Sequence, residues 1–340
     1  MHEILSERGE TIDGFLALHG WGGVDPVLLA GDASFRRYYR LGRGGRRVVL
    51  MDAPPPHEAV GPFVAIARIL RGLGLSTPEI YAEDEDVGLL LIEDFGDDTY
   101  TRLIAAGSDE RALYALAVDT LIALHRAVET RGLPDLPQYD EERLLAEAML
   151  LVDWYLPAVL GHRLPAEERD AYIAIWRRLL PLAREPGPTL VLRDFHVDNL
   201  MLLRQRPGVR RCGLLDFQDA VVGPAGYDLV SLVEDARRDV AAELRQAMTD
   251  RYLAAFPGLD RAAFRRSAAI LAAQRNCKIV GIFTRLARRD GKPQYLGHIP
   301  RLWRLIAEDL RDPAVAPLAA WMERHVPARL RRVPADRSAA

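Results

Sequence analysis

Apolar residues along this chain follow two regimes: short strand-like runs in the first quarter and helical spacing over most of the remainder. Strands are predicted over 27–30, 35–41, 46–51 and 87–92, stretches rich in aliphatic and aromatic residues. Gly42-Arg43-Gly44-Gly45 supplies a hairpin turn between the second and third. Past Pro54-Pro55-Pro56, the residues Val60, Phe63, Val64, Ala67, Ile69 and Leu70 recur at helical spacing as far as Leu73, where Gly72 and Gly74 stop the helix. The order is therefore three strands, a helix and more strand.

Beyond the acidic stretch Glu93-Asp94-Phe95-Gly96-Asp97-Asp98 the period lengthens. Leu113, Leu116, Ala117, Thr120, Leu121 and Leu124 mark one buried helical face, and further helices are predicted over 141–160, 166–180, 227–254 and 261–286. Three short apolar runs interrupt them, over 189–192, 200–203 and 212–215, with Arg206-Pro207-Gly208 as the turn between the last two. The expected class is α+β, with a small β-rich region over 1–94 and a larger, mainly helical one over 95–340.

These interrupting runs carry the chemistry. Phosphoryl transfer uses an Asp to orient the attacking hydroxyl, an Asn five residues later for magnesium, and a further Asp for magnesium beside the phosphates. Asp194, Asn199 and Asp216 stand in that order. If the hairpin closes through Gln205 to Arg210, Arg204 pairs with Arg211 and Asn199 faces Asp216, with Cβ atoms ~4.5 to 5.5 Å apart. An amide oxygen and a carboxylate suit magnesium, whose octahedron is completed by water and phosphate oxygens. Asp198 reads as a loop cap. The competing local reading makes all of these turn residues, since Asp and Asn favour loops.

Composition narrows the rest. At 340 residues, 49% apolar and 27% charged, the chain can bury two substantial cores. A net charge of −3 gives no electrostatic reason to bind nucleic acid or an anionic membrane. Cys212 and Cys277 are too few for a disulfide framework, which points to a reducing cytoplasm. Glu3, Glu7, Arg8 and Glu10 break up any signal-peptide pattern, and no uncharged apolar run reaches the ~18 residues of a membrane span. The arginine-bearing tail over 327–340 is expected to fray. Nothing in the pattern sets the oligomeric state.

Asp194-Phe195-His196-Val197-Asp198-Asn199 resembles the Asp-x-His-x-x-Asn loop of the aminoglycoside phosphotransferase and choline kinase superfamily. Leu215-Asp216-Phe217, with Gly223-Pro224-Ala225-Gly226-Tyr227-Asp228-Leu229, is similar to that superfamily's magnesium loop and the helix start after it. The resemblance implies a protein-kinase-like two-lobed fold, ATP as co-substrate, Mg2+ on Asn199 and Asp216, and Asp194 at the acceptor hydroxyl. It also places adenine on the main chain of Glu93, Asp94 and Phe95, and a phosphate-covering loop at Gly31-Asp32-Ala33-Ser34-Phe35, where Gly31, Ala33 and Ser34 permit close backbone approach. The third strand should then deliver a lysine to the phosphates, yet it presents Met51, and the only lysines are Lys278 and Lys292. Arg36 and Arg37 are the nearest substitutes, and Glu58, read as a first-turn acid, is expected to lack its usual ion-pair partner.

Fold does not name the acceptor. A polycationic aminoglycoside wants an acid-lined site, whereas the candidate elements Asp153-Trp154-Tyr155, Glu234-Asp235-Ala236-Arg237-Arg238-Asp239 and Gln274-Arg275-Asn276-Cys277-Lys278 are mixed in sign. A neutral or anionic polyhydroxylated acceptor suits them, with Trp154 stacking on a sugar ring and His196, Asp153, Asp235, Arg237, Arg275 and Lys278 as polar contacts. The alternatives are core packing for Trp154 and ordinary surface charge for the cations. Together with Asp32-Ala33-Ser34-Phe35-Arg36-Arg37-Tyr38-Tyr39 and Met51-Asp52-Ala53-Pro54-Pro55, these elements resemble the bacterial anomeric kinases of N-acetylmuramate and N-acetylglucosamine in peptidoglycan recycling. That resemblance implies ATP-dependent phosphorylation of the C1 hydroxyl to a sugar 1-phosphate, with Arg237, Arg275 or Lys278 meeting the lactyl carboxylate. Two rivals stay open: an aminoglycoside or other small-alcohol phosphotransferase, and a non-catalytic, pseudokinase-like nucleotide binder.

Overall fold

The computed structural model describes residues 2–31 and 35–335. The chain divides into two compact units, residues 1–109 with 198–219, and residues 110–197 with 220–340. Where the sequence suggested one cut after residue 94, the chain passes between units at 109, 197 and 219. The α+β class is as expected.

The first unit is built on a five-stranded antiparallel sheet of order β1-β2-β3-β5-β4. Its strands are β1 (Val27–Gly31), β2 (Arg37–Arg43), β3 (Arg46–Asp52), β4 (Ile80–Asp84) and β5 (Leu89–Glu93). Gly44 and Gly45, at φ +55° and +79°, close the β2–β3 hairpin, a two-residue turn that requires the left-handed region at both positions. Leu89, Leu90, Leu91 and Ile92 are all buried, the signature of a strand covered on both faces. Leu41, Val48, Leu50, Leu89 and Leu91 pack with Phe15, Leu16 and Trp21, which belong to and follow the helix His2–Leu18. That helix escaped the sequence reading because charged residues punctuate its apolar positions. β4 also escaped it, since this edge strand offers only Ile80-Tyr81-Ala82 before Glu83-Asp84.

The second unit is helical around one long element, Arg261–Arg289, whose N-terminus is capped by the Asp260 carboxylate on the amides of Ala262 and Ala263. At its middle, a Cβ on Gly281 would lie 2.3 Å from the carbonyl carbon of Leu150. This close approach seats the π-helical turn Leu151–Tyr155 against the long helix. The predicted helix over 141–160 is accordingly three pieces, Glu141–Ala148, that turn, and Leu156–Leu160. The predicted helix over 227–254 is likewise two, Tyr227–Val233 and Ala242–Ala255. Between them the Asp235 carboxylate accepts from the amide of Arg237 at 2.8 Å, a local bond that competes with helix continuation.

Strand Pro188–Val191 pairs antiparallel with Val221–Pro224, which the sequence reading had left unassigned. The tail is not frayed through residue 332. The Tyr155 hydroxyl accepts from Trp303 Nε1 at 3.0 Å and from the Arg332 amide at 2.9 Å, and donates to the Leu330 carbonyl at 2.6 Å. Among the described residues, no helix is long and apolar enough to cross a membrane.

Candidate active site

In the first unit the hairpin Leu200–Leu202 with Cys212–Leu214 presents the metal candidates. Its register differs by one from the expected pairing: Leu200 faces Leu214, Met201 faces Gly213, and the Leu215 amide donates to the Asn199 carbonyl at 2.9 Å. The connection runs through the 3-10 turn Gly208–Arg211, not a closure at Arg204 and Arg211. Asn199 and Asp216 meet nonetheless, because Asp216 leaves the strand at φ +55°, a left-handed conformation that Asp and Asn tolerate best. Asn199 Nδ2 lies 3.4 Å from Asp216 Oδ2, and Gln218 Nε2 donates to Asp216 Oδ1 at 2.8 Å. Asp198 accepts from the Thr101 hydroxyl.

A magnesium ion fits this donor set. Asp216 supplies a hard anionic oxygen, and rotation of the Asn199 amide presents Oδ1 in place of Nδ2. Gln218 Oε1 is buried without a hydrogen-bond partner among the described residues, a further hard donor beside the same carboxylate. Among the described residues no cluster of three or more His, Cys, Asp or Glu side chains could hold a metal. Such a site therefore relies on phosphate and water for its remaining ligands.

On the nucleotide side Gly31 ends β1, while Ala33 and Ser34 lie outside the described residues. Glu58 has a partner after all. Arg36 Nε stands 3.5 Å from Glu58 Oε2, and the Phe35 amide donates to Glu58 Oε1 at 3.2 Å. Glu58 also precedes the helix Gly61–Gly72 instead of opening it. Met51 is fully buried, and Asp52 beside it pairs with Arg8. Arg37 is exposed at the start of β2. In the stretch assigned to adenine, Glu93 pairs with Arg206, and Asp94 is held by Arg40 at 2.8 Å and by the Gly96 amide at 2.9 Å. The Phe95 ring packs where a Cβ on Gly213 would be, 2.8 Å away.

In the second unit Asp194 follows Arg193, which sits at φ +70°, and the Asp194 amide donates back to the Leu192 carbonyl at 2.9 Å. The buried Asp228 carboxylate accepts from the amides of Leu192 at 2.6 Å and Arg193 at 2.9 Å, which fixes this strained turn. Burial pushes the Asp228 carboxyl up to about 7, against the pull of those two amides. The Arg193 side chain points to Glu147 at 2.6 Å and lies over the Tyr139 ring. Lys278 reaches the same Glu147 oxygen at 2.9 Å and the Tyr227 hydroxyl at 3.3 Å. Burial raises the Glu147 carboxyl, but Lys278 and Arg193 outweigh it and hold the group below its ordinary range.

The remaining substrate candidates separate into two groups. His196 is buried with Nε2 3.4 Å from Arg237 Nη1, and the Asp235 carboxylate holds the Arg237 amide. Arg275 is buried and donates to the Glu234 carbonyl at 3.1 Å, so neither it nor Lys278 is ordinary surface charge. Neither Arg237 nor Arg238 lies on a helix, and Arg238 pairs with Glu110 at 2.6 Å. Asp153 and Trp154 stand apart, at the π turn, lining a cavity of about 780 Å³ with Arg163, Arg169 and Arg288. Asp153 pairs there with Arg169 at 3.2 Å. Lys278 and Arg288 are ten residues apart on one helix, roughly 15 Å at the usual rise per residue. Sequence reasoning gave no role to Glu147, Arg193, Gln218, Tyr139 or Tyr227, although Arg193, Gln218 and Tyr227 lay within or beside the quoted motifs.

A profile described as phosphotransferase enzyme family matches residues 26–265. The chain belongs to that family. This phosphotransferase is 39% identical to a protein of Caulobacter vibrioides named N-acetylmuramate/N-acetylglucosamine kinase, over 97% of this chain and 99% of the relative. A Pseudomonas aeruginosa protein of the same name is 40% identical, over 88% of this chain and 89% of its own. Among solved structures, the ADP-bound aminoglycoside phosphotransferase APH(2'')-Ib matches at TM-score 0.57 and 17% identity, covering 87% of this chain and 97% of that one. The fold is thus the kinase-like, two-lobed α+β fold expected.

Proposed function

We propose that this phosphotransferase uses ATP to phosphorylate the anomeric hydroxyl of N-acetylmuramate or N-acetylglucosamine, giving the sugar 1-phosphate. The observation that carries the reading is near full-length similarity to two proteins named for those two substrates. In this reading Asp194 orients the C1 hydroxyl and accepts its proton late, as the oxygen bonds to phosphorus. Magnesium, when bound, neutralises charge on the phosphates, and Asn199 and Asp216 hold it. The main chain of Glu93, Asp94 and Phe95 receives adenine, and Gly31, Ala33 and Ser34 cover the phosphates. Arg36, already half of an ion pair with Glu58, supplies the cation that β3 lacks. Arg237 with His196 takes the lactyl carboxylate, with Asp235 fixing the Arg237 backbone. Arg275, bonded to the Glu234 carbonyl, fixes the segment that carries Asp235 and Arg237. Two buried free cysteines suit the reducing cytoplasm in which we place the enzyme.

The test is purified protein with ATP, magnesium and a panel of amino sugars and aminoglycosides, with product identified by phosphorus NMR. An anomeric phosphate on the N-acetyl sugars supports the proposal. Phosphate on an aminoglycoside hydroxyl alone, or nucleotide binding with no transfer to any acceptor, overturns it.

A further inference from the structure

Glu147 lies outside every motif of the family reading, yet it ends at the loop that carries Asp194. It is the next-to-last residue of the helix Glu141–Ala148, which starts at an Asp140 cap. One of its oxygens receives Arg193 at 2.6 Å and Lys278 at 2.9 Å, and the other receives the Tyr139 hydroxyl. Its side chain is 17% exposed, so these are screened little by water. The Tyr139 and Tyr227 rings, 5.0 Å apart and edge-on, wall the cluster, and Gly223 leaves room for Tyr139, since a Cβ there would come within 2.8 Å of it.

The charge count is uneven. Two cations share one carboxylate, and both lie in electrostatic reach of Asp194, the next carboxylate on the loop. Arg193 is its neighbour in sequence; Lys278 comes from the long helix. A partly buried cation whose partner is removed is left uncompensated and is drawn to the nearest remaining anion. Glu147 is where both are drawn instead.

We propose that Glu147 is a positioning residue for the acceptor base: by holding Arg193 and Lys278 together it keeps both cations from closing on Asp194. The inference rests on the role given to Asp194 in the preceding section. It predicts that Glu147→Gln lowers kcat about 100-fold, the order expected when a reacting group is held slightly out of place, while KM for ATP stays within about twofold. Adding Lys278→Met to that variant removes one of the released cations and should regain about tenfold in kcat, a non-additive recovery expected only between coupled groups. A purely architectural Glu147 predicts the reverse, a double variant no better than the single one, because a second buried partner has been lost.

Steady-state kinetics on both variants, with melting temperatures, decides this. Should Glu147→Gln fail to fold, Glu147→Asp serves: the shorter carboxylate keeps its charge but cannot reach both cations, and kcat should fall about tenfold with little loss of melting temperature. Unchanged kcat in a folded Glu147 variant, or a double variant without recovery, overturns the proposal. Wild-type protein that phosphorylates no acceptor would remove the functional reading and this inference together, whereas wild-type turnover with an indifferent Glu147 removes the inference alone.

Discussion

The hairpin that presents Asn199 and Asp216 and the turn that presents Asp194 solve the same problem by different means. On the hairpin a carboxylate is steadied by two neutral amides, Asn199 and Gln218, which can give way to a cation. On the turn, backbone and side chain are each held by a carboxyl group: Asp228 takes the main-chain amides and Glu147 the flanking cations. Each site has one residue in the left-handed region, Asp216 and Arg193. Only the second is an arginine, a side chain with no local hydrogen bond to ease that conformation, and only there does a buried carboxylate clamp the backbone. A group that must bind an ion is left exchangeable, while a group that must aim a hydroxyl is over-determined.

The sharpest way to break this contrast is Asp194→Asn. It should lower kcat about 1000-fold while leaving nucleotide affinity, measured by calorimetry, within a few-fold. Asp216→Asn should cost about 100-fold in kcat and raise the magnesium concentration needed for half-maximal rate, with the left-handed backbone preserved because Asn also tolerates it. Rate against magnesium concentration checks that expectation; a shift in kcat with no shift in magnesium requirement would move the metal elsewhere.

Asp228→Asn tests the clamp through pH. A carboxyl at about 7 when folded and near 4 when unfolded binds its proton more tightly in the native state, so its contribution to stability is greatest below pH 4. That contribution is lost as pH rises toward 7, and is flat above. Melting temperatures across pH 4 to 8 should therefore slope less in Asp228→Asn than in wild type, and parallel curves would show that Asp228 does not titrate there. The smallest effect belongs to Gln218→Leu, which removes one of the two amides on Asp216 and should raise the magnesium requirement only about threefold, the worth of one ordinary hydrogen bond.

The sequence displayed the hairpin and its chemistry because those residues are close in the chain and each belongs to a short, turn-bounded apolar run. The meeting of Asn199 with Asp216 was foreseen for the wrong geometric reason: strands facing in register were expected, and a one-residue shift offset by a left-handed Asp216 does the work instead. The partnership of Glu147, Arg193 and Lys278 was not visible at all. It joins residues up to 131 positions apart, and nothing about a helical Glu or a helical Lys distinguishes a buried pair from a solvated one. The break at 234–241 was hidden for a related reason, since a run of mixed charges reads as a water-facing helix until Asp235 is seen to turn inward.

The grip of Tyr155 on the last turn of the chain has a practical corollary. Leu330 and Arg332 are the outer half of a polar knot whose inner half is the indole N–H of Trp303. Shortening the protein to residue 329 would wet that indole and leave a phenol without its acceptor, so any purification handle belongs beyond the arginines, never in their place.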